Sequence, residues 1–262
     1  MLTLGEQLIL IALDPRKGTI RGSQVLRYGL GAATLAELLN SGLITLRRPD
    51  GRWGVTAVAG VEETESPHEV LADTWSRVKA WPEDRESHPD GWVRNGAGPS
   101  LDSYLEALRS RGVIDWDEPK EAKEPKARHG RFRLLDPAAA AAARARVDRV
   151  VRSGAAPDAP DARDRDLAGI AGMLGYGKVL YPGLLGRPKR TALARAIEKQ
   201  RFAAMLARAL PSVPELKFTF NSSRDLAMAR AMVAAVNFDS HHSGGGHDGG
   251  MAGGHGGHGG HH

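Results

Sequence analysis

The sequence contains no cysteine and no long apolar run, and each absence excludes a class of protein. The chain has 262 residues and 0 cysteines, which excludes disulfide frameworks, thiolate metal sites, iron–sulfur clusters and cysteine nucleophiles. Its longest strongly apolar run, residues 8–13, is far shorter than the roughly 20 residues that span a bilayer. The first residues, MLTLGEQ, lack the basic segment of a signal peptide. We therefore expect a soluble, cytoplasmic protein.

Three common catalytic signatures are missing as well. There is no G-x-S-x-G nucleophile elbow and no H-E-x-x-H zinc motif. The segment GMLGYGKV, residues 172–179, contains the G-x-x-x-x-G-K of a phosphate-binding loop, but Val179 stands where a magnesium-binding hydroxyl is needed, and the preceding residues predict a helix. A hydrolytic triad would have to use one of three histidines in polar stretches, His68, His88 or His129. We expect no enzymatic activity and no cofactor.

Positive charge is in modest excess. Lys and Arg number 36 against 31 Asp and Glu, which gives a net charge of +5 and an isoelectric point near 9.6. This excess suggests an anionic partner and leaves nucleic acid and membrane lipid both open. One basic cluster, residues 186–201, has six basic residues against Glu198, and another consists of Lys126, Arg128, Arg131 and Arg133. Each cluster fits either a solvated face or a membrane contact, where one basic residue contributes on the order of 1 kcal/mol.

The N-terminal residues predict two helices. Thr3 and Glu6 match a capping box at the start of the first helix, and the residue before Pro15 disfavours its continuation. Apolar residues occur on all sides of this helix, so it should be buried. Ser23 is placed to cap a second helix, which Gly42 ends.

A strand–turn–strand pattern follows the second helix. Residues 43–46 and 53–58 flank the turn RRPDGR. A helix followed by a hairpin outlines a winged element, so the alternative function is a cytoplasmic winged-helix-like regulator or adaptor that binds DNA or protein. The side chains that this helix offers to base edges are few: Gln24, Arg27, Thr34, Glu37 and Asn40. We expect the helix to be buried, and nucleic acid is not the expected partner.

The rest of the body predicts further helices and a second hairpin. Caps and apolar spacing place the helices at residues 67–80, 100–111 and 137–152, with two or three more within 166–210 and one at about 222–236. The second hairpin pairs residues 113–116 with 132–135 around a charged loop. The body, residues 1–238, is therefore predicted to be mainly α, with two small β-hairpins.

Residues 239–262 form a separate tail that is rich in Gly and His. The last 22 residues hold 11 glycines and seven of the ten histidines: His241, His242, His247, His255, His258, His261 and His262. This composition cannot bury a core, so we expect disorder in the absence of a ligand. Neutral imidazoles on a flexible chain can converge on Ni²⁺, Zn²⁺ or Cu²⁺. The tail is interpreted either as a solubilising segment with adventitious metal binding or as a metal storage or delivery element.

The opening LTLGEQLILIALDPRKGTI, followed by YGLGAATLAELLNSGLITL, resembles the Golgi phosphoprotein three family. The similarity continues at LDSYLEALRSRGVI and RFRLLDP and covers most of residues 1–210. It implies a single helical-bundle domain with amphipathic helices outside. It also implies a non-catalytic peripheral membrane protein that recognises phosphatidylinositol 4-phosphate, with a hairpin in membrane contact and self-association. The family has many bacterial members, and we expect this chain to be one.

The resemblance also indicates which residues would bind a lipid headgroup. The family's lipid-site Trp falls on Gly22 and one of its arginines on Gly31, while two more arginines fall near residues 101–104. Arginines close to these positions can grip a phosphate bidentately, and we predict that four of them bind anionic or phosphoinositide-type lipid: Arg21, Arg27, Arg109 and Arg111. We predict electrostatic membrane contact by the charged hairpin residues Lys126, Arg128, Arg131 and Arg133, and self-association through the hairpin at residues 113–135.

Overall fold

The computed structural model describes residues 1–47, 54–57, 68–80, 92, 98–117, 130–153 and 160–198. Eight helices lie in these ranges: α1 (Leu4–Ala12), α2 (Ser23–Asn40), α3 (Glu69–Lys79), α4 (Leu101–Ser110), α5 (Pro137–Ser153), α6 (Ala162–Met173), α7 (Gly177–Leu180) and α8 (Arg187–Glu198). Six short strands form three antiparallel pairs: β1 (Leu13–Asp14) with β2 (Thr19–Ile20), β3 (Ile44–Arg47) with β4 (Gly54–Ala57), and β5 (Ile114–Trp116) with β6 (Phe132–Leu134). The mainly α class is confirmed. The helix predicted at residues 222–236 and the tail lie outside the described residues.

Helix α1 occupies the centre of the bundle. All nine of its residues are buried, which agrees with the prediction made from the apolar residues on all sides of this helix. The predicted capping box is present: the Thr3 hydroxyl accepts from the Glu6 amide at 3.2 Å, and the Glu6 carboxylate accepts from the Thr3 amide at 2.7 Å. These bonds satisfy two of the amides that a helix start leaves without partners, so α1 can begin inside the core.

The other long helices pack around α1. Helices α2, α5 and α6 contact it directly, and α8 packs on α5 and α6. Helix α4 contributes Tyr104, which is 0% exposed and whose hydroxyl lies 2.9 Å from that of Thr34 in α2. Gly5 in α1 lies against the Tyr104 ring, where a Cβ atom would approach two ring carbons to 2.5 Å. The interior is therefore close-packed at the crossing of α1, α2 and α4.

Helix α2 is a core helix, and three of its polar side chains are bound within the protein. Thr34 is 0% exposed and donates to a backbone carbonyl one turn earlier at 2.8 Å. Glu37 accepts from Arg163 at 2.5 Å, and the Asn40 amide donates to Asp166 at 2.9 Å. The predicted burial of this helix is confirmed for most of its described residues, and Glu37 and Asn40 hold α2 to α6.

The start of α2 differs from the sequence prediction. Ser23 is not the cap, because the cap position is Gly22, which has a left-handed φ of 63° and makes no side-chain capping bond. The chain reverses here from β2 into α2, and glycine adopts left-handed backbone without a steric cost. The sequence pattern also does not predict the β1–β2 pair, because two residues per strand are too few to show a period of two.

The segment that resembles a phosphate-binding loop, residues 172–179, connects two helices. It ends α6, turns at Gly175 with a φ of 79° and begins α7. The residues before it belong to α6, as the sequence predicts, whereas a phosphate-binding loop follows a buried strand. This part of the chain therefore has the geometry of a helix–helix connection.

Candidate functional site

The turn between β1 and β2, residues 15–18, carries two exposed cations on a fixed backbone; we name it the basic turn. The Asp14 carboxylate accepts from the backbone amides of Arg16 and Lys17 at 3.1 and 3.2 Å. The Gly18 amide donates to the Asp14 carbonyl at 2.8 Å, and a left-handed φ of 64° at Gly18 closes the turn. The side chains of Arg16 and Lys17 are exposed and form no ion pair within the residues that the structure describes.

Asp14 ties the basic turn to the start of α2. It is only 5% exposed, and its carboxylate accepts from the Arg21 guanidinium at 2.5 Å. This bond, helped by the amides of the basic turn, lowers the pKa of Asp14 below its ordinary value, although desolvation acts in the opposite direction. One carboxylate therefore fixes Arg16, Lys17 and Arg21 within a single loop.

The β5–β6 hairpin docks on the basic turn. The Phe132 amide donates to the carbonyl of the last residue of the turn at 2.9 Å, and the Arg131 guanidinium donates to the Arg16 carbonyl at 2.5 Å. Phe132 points inward, with its ring centroid 5.9 Å from that of Trp116. Because side chains alternate along a strand, Arg131 and Arg133 are exposed on the outer side. The contact joins segments that are 115 residues apart.

Asp115 on β5 links two more arginines to this region. Its carboxylate lies 2.6 Å from the Arg133 guanidinium and 3.2 Å from that of Arg109. The hydrogen bond from Arg133 is the main reason that the pKa of Asp115 is lowered below its ordinary value. The Arg109 guanidinium also lies over the Trp116 ring, 4.3 Å from its centroid, and is therefore positioned by both an ion pair and a cation–π contact.

Together these groups form one positively charged surface, which we name the basic face: Arg16, Lys17, Arg21, Arg109, Arg131 and Arg133. Its six cations are accompanied by three carboxylates, Asp14, Asp115 and Asp117, which leaves a net charge of +3. Asp117 is counted because its carboxylate lies 3.6 Å from the Arg133 guanidinium. Such a surface attracts phosphate and other anionic groups, and it does so most strongly at low salt, where screening is weak.

The four arginines predicted to bind lipid do not lie in one cluster. Arg21 and Arg109 belong to the basic face, whereas the Arg111 guanidinium reaches Glu6 in the first turn of α1 at 3.1 Å. The Arg21 amide donates to the Ala12 carbonyl at the opposite end of α1, and the rise from residue 6 to residue 12 is about 9 Å. Arg21 and Arg111 therefore attach to different ends of the central helix.

The remaining predicted residues divide between the basic face and other places. Arg27 lies on α2 with its guanidinium 4.6 Å from the centroid of the neighbouring tyrosine ring. Arg131 and Arg133 lie on the basic face, while Lys126 and Arg128, like the tail histidines, lie outside the described residues. Lipid contact by all of these residues stays a prediction.

The sequence prediction missed Arg16 and Lys17. Their signal is the run DPRKG, in which Asp and Pro open a turn and Gly closes it. By itself this run fits a solvated loop equally well. Only its contact with β6, which local sequence does not encode, shows that the turn belongs to a larger charged surface.

An Asp14→Asn variant tests how the basic turn is held. Asparagine keeps the oxygen that accepts from the two turn amides but loses the charge that binds Arg21. Because the pKa of Asp14 is lowered from its ordinary value of 3.8 in the folded state, its stabilising contribution is present above that pH and is lost as the pH falls below it. We expect wild type to be the more stable protein near neutral pH, and we expect the difference in urea unfolding to shrink as the pH falls through that value. A difference that does not change with pH would contradict this role.

Two absences apply to the part of the chain that the structure describes. No helix there has the length and apolar composition needed to cross a membrane. No group of three or more His, Asp or Glu side chains there is placed to hold a metal ion. Metal binding by the tail histidines stays a prediction, since they lie beyond these ranges.

Comparison with known proteins identifies one family. A family model described as Golgi phosphoprotein 3 (GPP34) matches residues 4–213. The matched region contains every helix from α1 to α8 and the whole basic face. A comparison with curated proteins finds no match.

Proposed function

Because the chain belongs to the Golgi phosphoprotein 3 (GPP34) family, as its N-terminal motifs predict, we propose that it is a non-enzymatic peripheral membrane protein that binds anionic lipid headgroups. The proposed binding surface is the basic face. The protein would reside in the cytoplasm and attach to the membrane surface by electrostatic attraction.

The docking of β6 on the basic turn is the observation that carries this proposal. It places cations from two distant segments on one surface, with their backbones hydrogen-bonded to each other. Each cation close to an anionic membrane contributes about 1 kcal/mol, so several on one surface give binding that added salt weakens. Cations on separate flexible segments would contribute less, because each segment would lose conformational freedom on binding.

A phosphoinositide is the proposed headgroup. Family membership suggests phosphatidylinositol 4-phosphate, and a phosphate monoester carries up to about two negative charges near neutral pH. Arginine binds phosphate oxygens bidentately, and Arg16 and Arg131 approach each other from different segments of the basic face. Phosphatidylinositol 4-phosphate is therefore the first headgroup to test.

Vesicle co-sedimentation at near-physiological salt tests the proposal. The vesicles are neutral, generally anionic (phosphatidylinositol or cardiolipin), or doped with phosphatidylinositol 4-phosphate. The test variant is Arg16→Ala/Lys17→Ala, and the matched control is Arg144→Ala/Arg152→Ala, which removes the same charge from exposed positions on α5. We expect wild type and control to bind the phosphoinositide vesicles alike and the test variant to bind about tenfold more weakly, since each lost cation removes up to about 1 kcal/mol.

The outcomes separate a headgroup site from a merely charged surface. Stronger binding to the phosphorylated headgroup than to other acidic lipids, lost in the test variant, supports the phosphoinositide assignment. Equal binding to all acidic vesicles limits the function to general anionic attraction. If wild type binds none of the vesicles, this would falsify the proposal. If the test and control variants lose the same amount of vesicle binding, the basic face is not the binding surface.

The alternative function, a winged-helix-like regulator or adaptor, has weaker support. Three of the five polar side chains that α2 would offer to DNA, Thr34, Glu37 and Asn40, are bound within the protein, so few groups remain for base edges. Self-association through the hairpin stays a prediction, since residues 118–129 lie outside the described ranges. Deleting residues 240–262 and measuring Ni²⁺ or Zn²⁺ binding tests the metal interpretation of the tail.

A further inference from the structure

The loop between α7 and α8, residues 182–186, presents two adjacent leucines to solvent; we name it the leucine loop. The side chains of Leu184 and Leu185 are 86% and 97% exposed. Two neighbouring leucines this open give the loop an apolar tip, and apolar surface gathered in one place is a feature of contact surfaces. We therefore expect the tip to contact a partner that offers an apolar environment.

The backbone of the leucine loop is fixed, so the exposure of the leucines follows from the fold. The Arg190 guanidinium donates to the carbonyls of Tyr181 and Gly183 at 2.5 and 2.9 Å. The Arg190 amide donates to the Gly186 carbonyl at 3.0 Å, and Gly183 has a left-handed φ of 70°. Gly186 is buried against the Tyr181 carbonyl, at a position that has no room for a Cβ atom. This frame holds the loop closed and leaves the two leucines on its outer side.

The segment of sequence that contains the leucine loop carries charge of a single sign. The 31 residues from 167 to 197 contain five basic residues and no acidic residue: Lys178, Arg187, Lys189, Arg190 and Arg195. Arg187 and Lys189 lie directly after the loop and are exposed. The Lys189 ammonium is 4.0 Å from Asp148 on α5 and 5.4 Å from the centroid of the Tyr181 ring, so it is held beside the loop. An apolar tip followed by the exposed cations Arg187 and Lys189 matches the chemistry of an anionic bilayer surface, in which acyl chains lie beneath phosphates.

The leucine loop is also connected to the basic face. Tyr176 occupies the N-cap position of α7, and its hydroxyl donates to the Arg21 carbonyl at 3.0 Å. The leucines follow Tyr176 by only eight and nine residues. The segment that carries the apolar tip therefore begins at the charged surface proposed for lipid binding.

We propose that the leucine loop inserts shallowly into an anionic bilayer, with Leu184 and Leu185 entering the acyl boundary and the basic residues beside them contacting lipid phosphates. This inference rests on the proposed function and adds a second mode of attachment to it. Charge alone gives weak, salt-sensitive binding, whereas stable peripheral attachment requires apolar insertion together with charge. The basic face supplies electrostatic attraction, and the leucine loop supplies the apolar contact that salt does not screen.

The first arm of the test measures binding of the full chain to vesicles of phosphatidylcholine with phosphatidylinositol 4-phosphate. The variants are Leu184→Ser/Leu185→Ser and the apolar control Leu184→Ile/Leu185→Ile. We expect the serine pair to bind about tenfold more weakly and the isoleucine pair to bind like wild type, because apolar area at the tip is what matters. We also expect the leucine effect to persist at high salt, at which the effect of Arg16→Ala/Lys17→Ala disappears. Because the substituted side chains are exposed, we expect each variant to fold, and thermal unfolding checks this.

The second arm uses the absence of native cysteine. A single Leu185→Cys variant carries an environment-sensitive fluorophore, and Arg144→Cys on α5 carries it as the control. On phosphoinositide vesicles we expect a blue shift, and quenching by nitroxide placed on the acyl chains, at position 185 only. Normal wild-type binding with an unaffected serine pair, or with no blue shift at position 185, overturns the insertion and leaves the proposed function intact. Failure of wild type to bind any vesicle overturns both.

Discussion

Replacing Arg111 by alanine is expected to lower the free energy of unfolding by about 3 kcal/mol, because it leaves a buried carboxylate without its cation. The Glu6 side chain is 0% exposed and lies 3.1 Å from the Arg111 guanidinium. Its other partners are the amide and hydroxyl of Thr3, at 2.7 and 2.9 Å, which do not neutralise the charge. His68 lies 3.8 Å from the Glu6 carboxylate, and its pKa is lowered below the ordinary value, mainly by burial and also by the charge of Arg111. In the wild-type protein Arg111 is therefore the main cation beside Glu6.

A double-mutant cycle in urea unfolding checks this prediction. The Glu6→Gln/Arg111→Ala variant should be more stable than Arg111→Ala alone, because it removes the unpaired charge along with its partner. Arg144→Ala, an exposed position on α5, is the control and should change the stability by less than about 0.5 kcal/mol. If Arg111→Ala is as stable as the control, the ion pair with Glu6 does not stabilise the fold.

This prediction also bears on the lipid-binding role expected for Arg111. The guanidinium is committed to Glu6 at the start of α1, away from the basic face. We therefore expect Arg111→Ala to keep wild-type affinity for phosphoinositide vesicles under conditions in which it remains folded. A loss of vesicle binding by the folded variant would restore Arg111 to the lipid site.

Gly5→Ala is the second large expected effect, with a loss of about 3 kcal/mol from overpacking. A Cβ atom at this position would lie 2.5 Å from two ring carbons of Tyr104 and 2.7 Å from its hydroxyl oxygen. The ring is 0% exposed and its hydroxyl is bonded to Thr34 at 2.9 Å, so it cannot shift without breaking that bond and opening the core. The crossing of α1 and α4 must therefore separate or distort.

Urea unfolding of Gly5→Ala and of Gly177→Ala separates this clash from a general effect of replacing glycine. A Cβ atom on Gly177 would meet its nearest neighbour, Leu193, at 3.7 Å, an ordinary contact. Alanine in a helix is otherwise favoured over glycine by roughly 0.5–1 kcal/mol, so Gly177→Ala should be neutral or stabilising. Combining Gly5→Ala with Tyr104→Leu should recover part of the loss, since the smaller side chain vacates the contact. Equal stability of Gly5→Ala and wild type would contradict the close approach.

The helices could be predicted from sequence because their signals are local. The capping box of Thr3 and Glu6 begins α1, and Asp136 caps α5 by accepting from the amides of Ala138 and Ala139, at 2.9 and 3.1 Å. Gly112 follows α4 with a left-handed φ of 67°, as expected for a helix end. Each of these features depends on residues within a few positions of each other, and a single sequence shows them directly.

The candidate site could not be predicted in the same way because its contacts are long-range. Arg131 meets the basic turn across 115 residues, and Arg111 meets Glu6 across 105. Four arginines look alike in the sequence, but their partners differ: Arg111 pairs with the buried Glu6 at the start of α1, and Arg21 pairs with Asp14 at the opposite end. The resemblance to a family indicated the fold correctly, while the assignment of individual arginines required the tertiary structure.

The burial of α1 has a consequence for how the chain is made. The helix is synthesised before two of the helices that cover it, α5 and α6, which end at residues 153 and 173. At about 5–20 residues per second, a ribosome needs roughly 10–30 s to complete that distance. During this interval α1 lacks the part of its native cover that α5 and α6 provide, so the domain cannot close before α6 has been made. The nascent chain is therefore expected to be a substrate for chaperones that bind exposed apolar segments at the ribosome.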